Sequence, residues 1–493
     1  MKTDNKQTRF YSVFLIGILI FSLPLWTGGC FNDNSPSITA PLSDNNINLI
    51  FVVSADLTYN EPGDINPDTA NLTSQGLQRS LMMATYLKED VLGGENVTAI
   101  YALEPMTHLQ TDNNYPDMAG IGSIQPFALL NQITLPLYGT DSSYTAYSYP
   151  INSAYGPGSL PDGVVAPEKY CPDCQGLDFN DTTGNNVGLA TGIITANVPG
   201  FYVFSAPWET INALMASINQ QKGYTLNIPT TYMGPNRVYA ISINPSEVAS
   251  LATYDSNLDP PSTYPELPLP VERTPCTYDL QPYFSTSRTG GINGVVIPTT
   301  INTNEKIYIV RHAEAHPDPE NLFENGNFVG AGQWRALDLV NALGNKISPD
   351  MVYSIDPAQW VYTGHFNVSY VRPSLTVLPY VIANNLPYRL VSHFYLGDKK
   401  QAQLASDFFF TGGTFSNQTI LLAWESSRIK PLINALLESY GGNEPAYPPI
   451  KWPSTDYDTV WTVTIDDMGN VTVDNDLCEG IDSASLPDMS PEF

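Results

Sequence analysis

The chain has 493 residues, of which 42% are apolar and 14% charged, and its formal net charge is −28. That length exceeds what one ordinary core holds, so two domains are expected, and the apolar content excludes an intrinsically disordered chain. So acidic a surface repels nucleic acid and anionic lipid, which excludes DNA or RNA as a partner and requires any anionic ligand to be met by local arginines.

At the start, Lys2, Lys6 and Arg9 precede an apolar run from Tyr11 to Leu25, followed by Trp26-Thr27-Gly28-Gly29-Cys30. A basic start, an apolar run and small residues predict a signal peptide over 1–30. The Cys after two glycines resembles the bacterial lipobox, although Thr27 replaces the usual aliphatic residue. The resemblance implies lipidation of Cys30 and an exported lipoprotein, held on a membrane by its lipid and facing the periplasm. An uncleaved membrane anchor is the other reading, against which the apolar run is short. A linker is expected over 31–45.

Four cysteines remain, Cys171, Cys174, Cys276 and Cys478. An even number in an oxidising compartment predicts disulfides, with three pairings open. Cys171-Pro-Asp-Cys174 has the spacing of a redox or metal motif, but no second such pair and no His pair stands near it. No metal and no cofactor are assigned.

The body of the chain repeats itself. The run Ile50–Val53, then Ser54-Ala55-Asp56-Leu57, matches Ile307–Val310 and then Arg311-His312-Ala313-Glu314. Next, Asn71–Ser80 matches Asn327–Ala336, with Gly76 over Gly332 and Arg79 over Arg335. Ala99–Pro105 then matches Met351–Pro357. Apolar residues at helical spacing follow Phe201–Phe204 and Ile420–Ala423 alike, and Val238–Ile243 parallels Val460–Ile465. Short apolar strands alternating with helices predict a three-layer α/β/α unit with a mostly parallel sheet, present twice. The expected boundaries are 46–258 for the first copy, with an insertion near 135–197, a Pro-rich linker at 259–303, 304–475 for the second copy, and an acidic tail at 476–493.

Arg311-His312-Ala313-Glu314 falls where a strand ends, which is where α/β sheets bind ligands. An imidazole there can attack phosphorus while an adjacent guanidinium holds the phosphoryl oxygens. Glu314 and Glu425, both at strand ends, are candidate acids. His108, His316, His365 and His393 are expected to be surface or hydrogen-bonded loop residues, with His316 able to line the same pocket.

Ile307–Glu314 resembles the phosphohistidine loop of the histidine phosphatase (phosphoglycerate mutase-like) superfamily. Tyr370-Val371-Arg372-Pro373, Gly330–Leu337, Asp356-Pro357-Ala358-Gln359 and Trp452–Asp458 resemble segments of an exported bacterial branch of it. The likeness runs from about Lys306 to Ile465 and covers the first copy weakly. It implies two tandem phosphoglycerate mutase-like domains. It also implies a hydrolase acting on a small phosphorylated molecule through a phosphohistidine at His312, with Arg311, Arg372 and Ser426 binding phosphate. Where the branch places a second His, Ala423-Trp424-Glu425-Ser426 puts Ser426, which supplies no cation. Ser54, Ala55 and Ile121 stand in the first copy near the Arg311, His312 and Arg372 places, so that copy is expected to be inert. The alternative is a pseudoenzyme that binds phosphorylated ligands or serves as an envelope scaffold.

Overall fold

Alternate residues of the run Ile47–Val53 enter two different cores, Ile50 and Val52 on one side and Leu49, Phe51 and Val53 on the other. A strand apolar on both faces must lie inside a sheet covered on both. The computed structural model describes residues 39–58, 68–108, 114–136, 142–155, 175–179, 181, 183–276, 284–286, 295–315, 325–362, 367–391, 401–441, 453 and 455–493. The signal peptide with Cys30, the pair Cys171 and Cys174, and His316, His365 and His393 lie outside the described residues, as does the His108 side chain.

The first half runs β1 (Ile47–Val53), α1 (Ser74–Tyr86) with a π-helical turn (Leu87–Val91), β2 (Ala99–Ala102), and a hairpin of β3 (Met106–His108) and β4 (Asn114–Pro116). It continues with α2 (Ala119–Ala128), a hairpin of β5 (Ile133–Pro136) and β6 (Ser143–Ala146), α3 (Asn185–Ala196), β7 (Gly200–Ala206), α4 (Trp208–Lys222), β8 (Arg237–Ile243) and β9 (Ala249–Asp255). The second half runs β10 (Phe284–Ser285), β11 (Glu305–Arg311), α5 (Gly330–Leu343), β12 (Met351–Ile355), and a hairpin of β13 (Trp360–Tyr362) and β14 (Asn367–Ser369). It ends with α6 (Arg372–Asn384), β15 (Tyr388–Val391), α7 (Gln401–Phe410), β16 (Thr419–Trp424), α8 (Ser426–Ser439), β17 (Thr459–Ile465) and β18 (Val471–Cys478).

The first sheet has the order β2-β7-β1-β8-β9, and the second the order β10-β18-β17-β11-β16-β12-β15. The stretch β12-β16-β11-β17-β18 therefore repeats the first sheet strand for strand. The directions agree as well. β1 is parallel to β7 and antiparallel to β8, and β11 is parallel to β16 and antiparallel to β17. The expectation of mostly parallel sheets is corrected here, because each sheet is mixed. The last two strands of each form an antiparallel hairpin, closed by Asn244–Val248 in one half and Asp466–Asn470 in the other. An apolar run carries no direction, so the sequence matched β8 to β17 without showing which way either runs.

One continuous core takes in α1 and α2 of the first half and α5 and α6 of the second. Helices α3 and α4 cover the far face of the first sheet, and α7 and α8 that of the second. Close packing between the halves explains Gly122 in α2, where a Cβ would lie 2.7 Å from Leu72 and 2.9 Å from Leu378. Neither the described part of the linker nor the tail is loose. β10 pairs with β18, and Tyr264 Oη donates to the Leu337 carbonyl at 2.7 Å. Glu479, Ile481 and Leu486 are buried, so the expected acidic tail is a packed strap over α5, where Trp334 Nε1 donates to the Met489 carbonyl at 2.7 Å. Cys276 and Cys478 form a disulfide with a Cα–Cα distance of 5.7 Å.

Candidate active site

β11 delivers Arg311 as its last residue and His312 just beyond, both buried. The His312 N–H donates to the Trp424 carbonyl at 3.2 Å, which lays the strand-end loop against the end of β16. The His312 Nδ1 lies 2.8 Å from the Ala313 carbonyl. A carbonyl can only accept, so this contact puts the proton of a neutral imidazole on Nδ1 and the lone pair on Nε2. The Ala313 N–H donates to Thr376 Oγ1 at 2.8 Å, and that hydroxyl donates to the Arg372 carbonyl at 2.7 Å. Thr376 thereby pins the His312 loop to the first turn of α6, which begins at Arg372.

Two guanidiniums meet at this place. Arg311 stacks on Tyr457, its Cζ 3.9 Å from the ring centre, and its Nη1 donates to the Asp456 carbonyl at 3.0 Å. Arg372 stacks on Tyr370 at 4.8 Å. Burial pulls the Arg372 guanidinium down to about 10; Tyr457 and Glu425 oppose that pull, and the charge of Arg311 adds to it. Two buried cations that repel one another make a place for an anion. The imidazole of His312 lies edge-on to both aromatic rings, at 6.2 Å from Tyr370 and 6.1 Å from Tyr457. The Tyr370 hydroxyl is buried with no hydrogen-bond partner among the described residues, and burial, followed by the charge of Glu425, pushes its pKa up.

Tyr370, Tyr457 and Thr376 were not singled out from the sequence. Tyr370 and Tyr457 lie in segments that carry the family resemblance, Tyr370 two residues before Arg372, and Thr376 is one helical turn after Arg372. Tyr457 is near neither in sequence.

Glu425 and Ser426 sit where β16 gives way to α8. Glu425 is the N-cap: its carboxylate accepts from the Ser427 N–H at 2.9 Å, from the Ser426 hydroxyl at 3.3 Å and from the Ser427 hydroxyl. Its charge is within reach of Tyr370 and Arg372. Ser426 opens the helix beside the His312 loop.

Glu314 is corrected. Its carboxylate accepts from Arg335 Nε at 2.8 and 3.0 Å and from Ser483 Oγ at 2.8 Å. Arg335 is fully buried and also meets Glu479 and the Ile481 carbonyl. Both of its oxygens are already held by a buried guanidinium, and one also by a hydroxyl. Glu314 ties the loop to α5 and the strap.

The first half repeats this frame without its chemistry, one residue out of step with the sequence match. The Ser54 N–H donates to the Ala206 carbonyl at 3.0 Å, as His312 does to Trp424, and the Ala55 N–H is capped by Ser123 Oγ at 3.0 Å, as Ala313 is by Thr376. Val53 and Ser54, not Ser54 and Ala55, hold the Arg311 and His312 places. Ala119, the first residue of α2, holds the Arg372 place, with Ile121 two residues further on. The pair Asp56–Arg79, at 2.7 Å, stands where Glu314–Arg335 does.

No protein-family model and no curated protein matches the chain. Solved structures similar to it include the protein histidine phosphatase SixA complexed with tungstate, at 16% identity over 35% of this chain and 97% of that one, with a TM-score of 0.22. Another is the phosphoglycerate mutase of Plasmodium falciparum, at 16% identity over 39% and 99% of the two chains, with a TM-score of 0.21.

Proposed function

We propose that the second half is a histidine phosphatase-type domain that hydrolyses a small phosphomonoester, and that the first is its degenerate tandem copy. The observation that carries the reading is that Arg311 and Arg372, whose charges act on one another, lie at the strand end and helix start that Thr376 joins to the His312 loop, where Nδ1 of His312 is held by a backbone carbonyl. Nε2 of His312 attacks phosphorus, and the P–O bond to the leaving group breaks as the P–N bond forms. The departing oxygen takes a proton from water or from Glu425. Water then attacks the phosphohistidine, the P–N bond breaks, and inorganic phosphate leaves with the imidazole restored. Arg311 and Arg372 hold the phosphoryl oxygens throughout.

The test is hydrolysis of 4-nitrophenyl phosphate, with alkaline trapping of a labelled phosphohistidine. The expected result is turnover and a label that both vanish in His312→Ala. Full activity in that variant assigns the chemistry to another site.

A second reading follows from Ser426 and from the capping of Glu425 by Ser426 and Ser427. With Ser426 standing where a distal His is expected and a carboxylate already hydrogen-bonded, the site suits a binder of phosphate esters that does not turn them over. Phosphate-ester binding without turnover of any ester distinguishes it.

In this reading the protein is exported and held by a lipid on Cys30. Cys30→Ser is expected to abolish labelling by a fatty-acid probe, and unchanged labelling counts against the anchor. A single chain binds only marginally, so firm anchoring needs more than one.

A further inference from the structure

The strand ends of the first sheet keep a cavity of about 170 Å³, lined in part by Val53, Ser54, Asp56, Trp208, Glu209 and Tyr232. It lies where the His312 site lies in the second half, but its chemistry is inverted. Among the described residues lining it none is basic. Nearby Arg79 is spent on Asp56, Asn236 and the Leu258 carbonyl, so the Asp56 and Arg79 charges cancel. Glu209 is left, and its Oε2 is buried with no hydrogen-bond partner among the described residues. The Ser54 hydroxyl, on a residue 1% exposed, is in the same condition. Trp208 and Tyr232 form one aromatic wall, their ring centres 6.0 Å apart, and Tyr232 stands at the mouth, 37% exposed.

We propose that this cavity is a binding site for a small alkylammonium cation. The carboxylate of Glu209 supplies the counter-charge and the Ser54 hydroxyl accepts one ammonium proton. The faces of Trp208 and Tyr232 receive the charge and the adjoining methylenes through cation–π and apolar contact. The volume suits a ligand of a few heavy atoms, since cavities of roughly 150 Å³ hold benzene. A phosphate is disfavoured by the same groups: it would face the Glu209 carboxylate with no cation among the described residues lining the cavity to hold it. Burial already raises the Glu209 pKa, as expected of a carboxylate that lacks its counter-ion.

The test is titration of the full chain with n-butylammonium, read by saturation-transfer NMR and calorimetry, with n-butanol and inorganic phosphate as controls. The expected result is saturable n-butylammonium binding that weakens at least tenfold in Glu209→Gln and several-fold in Tyr232→Ala, and is unchanged in His312→Ala. No binding, equal affinity for n-butanol, or n-butylammonium affinity unaffected by Glu209→Gln overturns the proposal. So does phosphate binding that survives Arg311→Ala with Arg372→Ala and is lost in Ser54→Ala. If Glu209→Gln does not fold, Tyr232→Ala decides, and unchanged affinity there overturns it.

Discussion

The carboxylate of Glu314 and the buried guanidinium of Arg335 lie 2.8 Å apart, joined through both oxygens of the acid. The pair carries the loop beyond His312 onto α5, and Glu479 and Ser483 bring the strap to the same cation. Arg335→Ala leaves two buried acids without their partner, which typically costs about 3–5 kcal/mol. Urea unfolding is expected to show that loss. A midpoint within error of the parent contradicts a structural role for the pair.

Ser426 separates turnover from binding. A leaving group that needs a proton gains roughly 10²–10⁴-fold from a general acid, whereas a nitrophenolate departs without one. The parent is therefore expected to cleave aryl phosphates slowly and alkyl phosphates far more slowly, with Ser426→His raising the alkyl rate more. Equal alkyl and aryl rates, with no gain from the substitution, assign the acid to Glu425.

Gly332 and Gly76 are fixed by close approach. A Cβ on Gly332 would lie 2.7 Å from the Glu314 carbonyl oxygen, and one on Gly76 2.3 Å from that of Asp56. In both cases the obstacle is backbone that cannot swing away, so Ala at either position is expected to cost about 1–3 kcal/mol. Gly332→Ala is expected also to slow hydrolysis, because the loop it displaces holds His312. Gly76→Ala leaves the rate unchanged if the first half takes no part. Calorimetry and steady-state rates on both variants check this.

Stability is expected to fall with rising pH. Burial raises Asp117 and Asp356 to about 6 and Glu305 to about 8. Their folded pKa values exceed their unfolded ones, so the folded state keeps protons that the unfolded chain has released. Their stabilisation is complete below the unfolded carboxylate range and is lost as pH climbs through 6 and then 8. Scanning calorimetry is expected to give a lower Tm at pH 8 than at pH 5, with Asp117→Asn flattening the part near pH 6. A Tm that rises across that window contradicts the assignment.

The Cys276–Cys478 disulfide spans 202 positions and ties the linker to the end of β18. A native disulfide is typically worth about 2–4 kcal/mol. Reduction, or Cys276→Ala with Cys478→Ala, is expected to lower Tm, and an unchanged Tm shows that the packed strap alone holds the linker.

The sequence by itself determined the internal repeat and the order of its matched strand and helix segments, while the resemblance, rather than periodicity, brought Arg372 and Ser426 in as candidates beside Arg311, His312 and Glu425. Apolar periodicity sets elements, and residues at the ends of neighbouring parallel strands and helices meet whatever fills the space between them. It misjudged what depends on pairing and packing. Strand direction was invisible because an apolar run is the same forwards and backwards, so the antiparallel hairpins went unseen. A strand also slides along a sequence match without changing its pattern, and only hydrogen bonds placed Ser54 rather than Ala55 opposite His312. Glu314 had the residue type and position of an acid, but long-range packing of Arg335 and Ser483 turned it away. The cavity beside Ser54 joins β1, α4 and the loop at Tyr232, segments far apart in the chain. Side chains that converge only through the fold leave no local pattern to read.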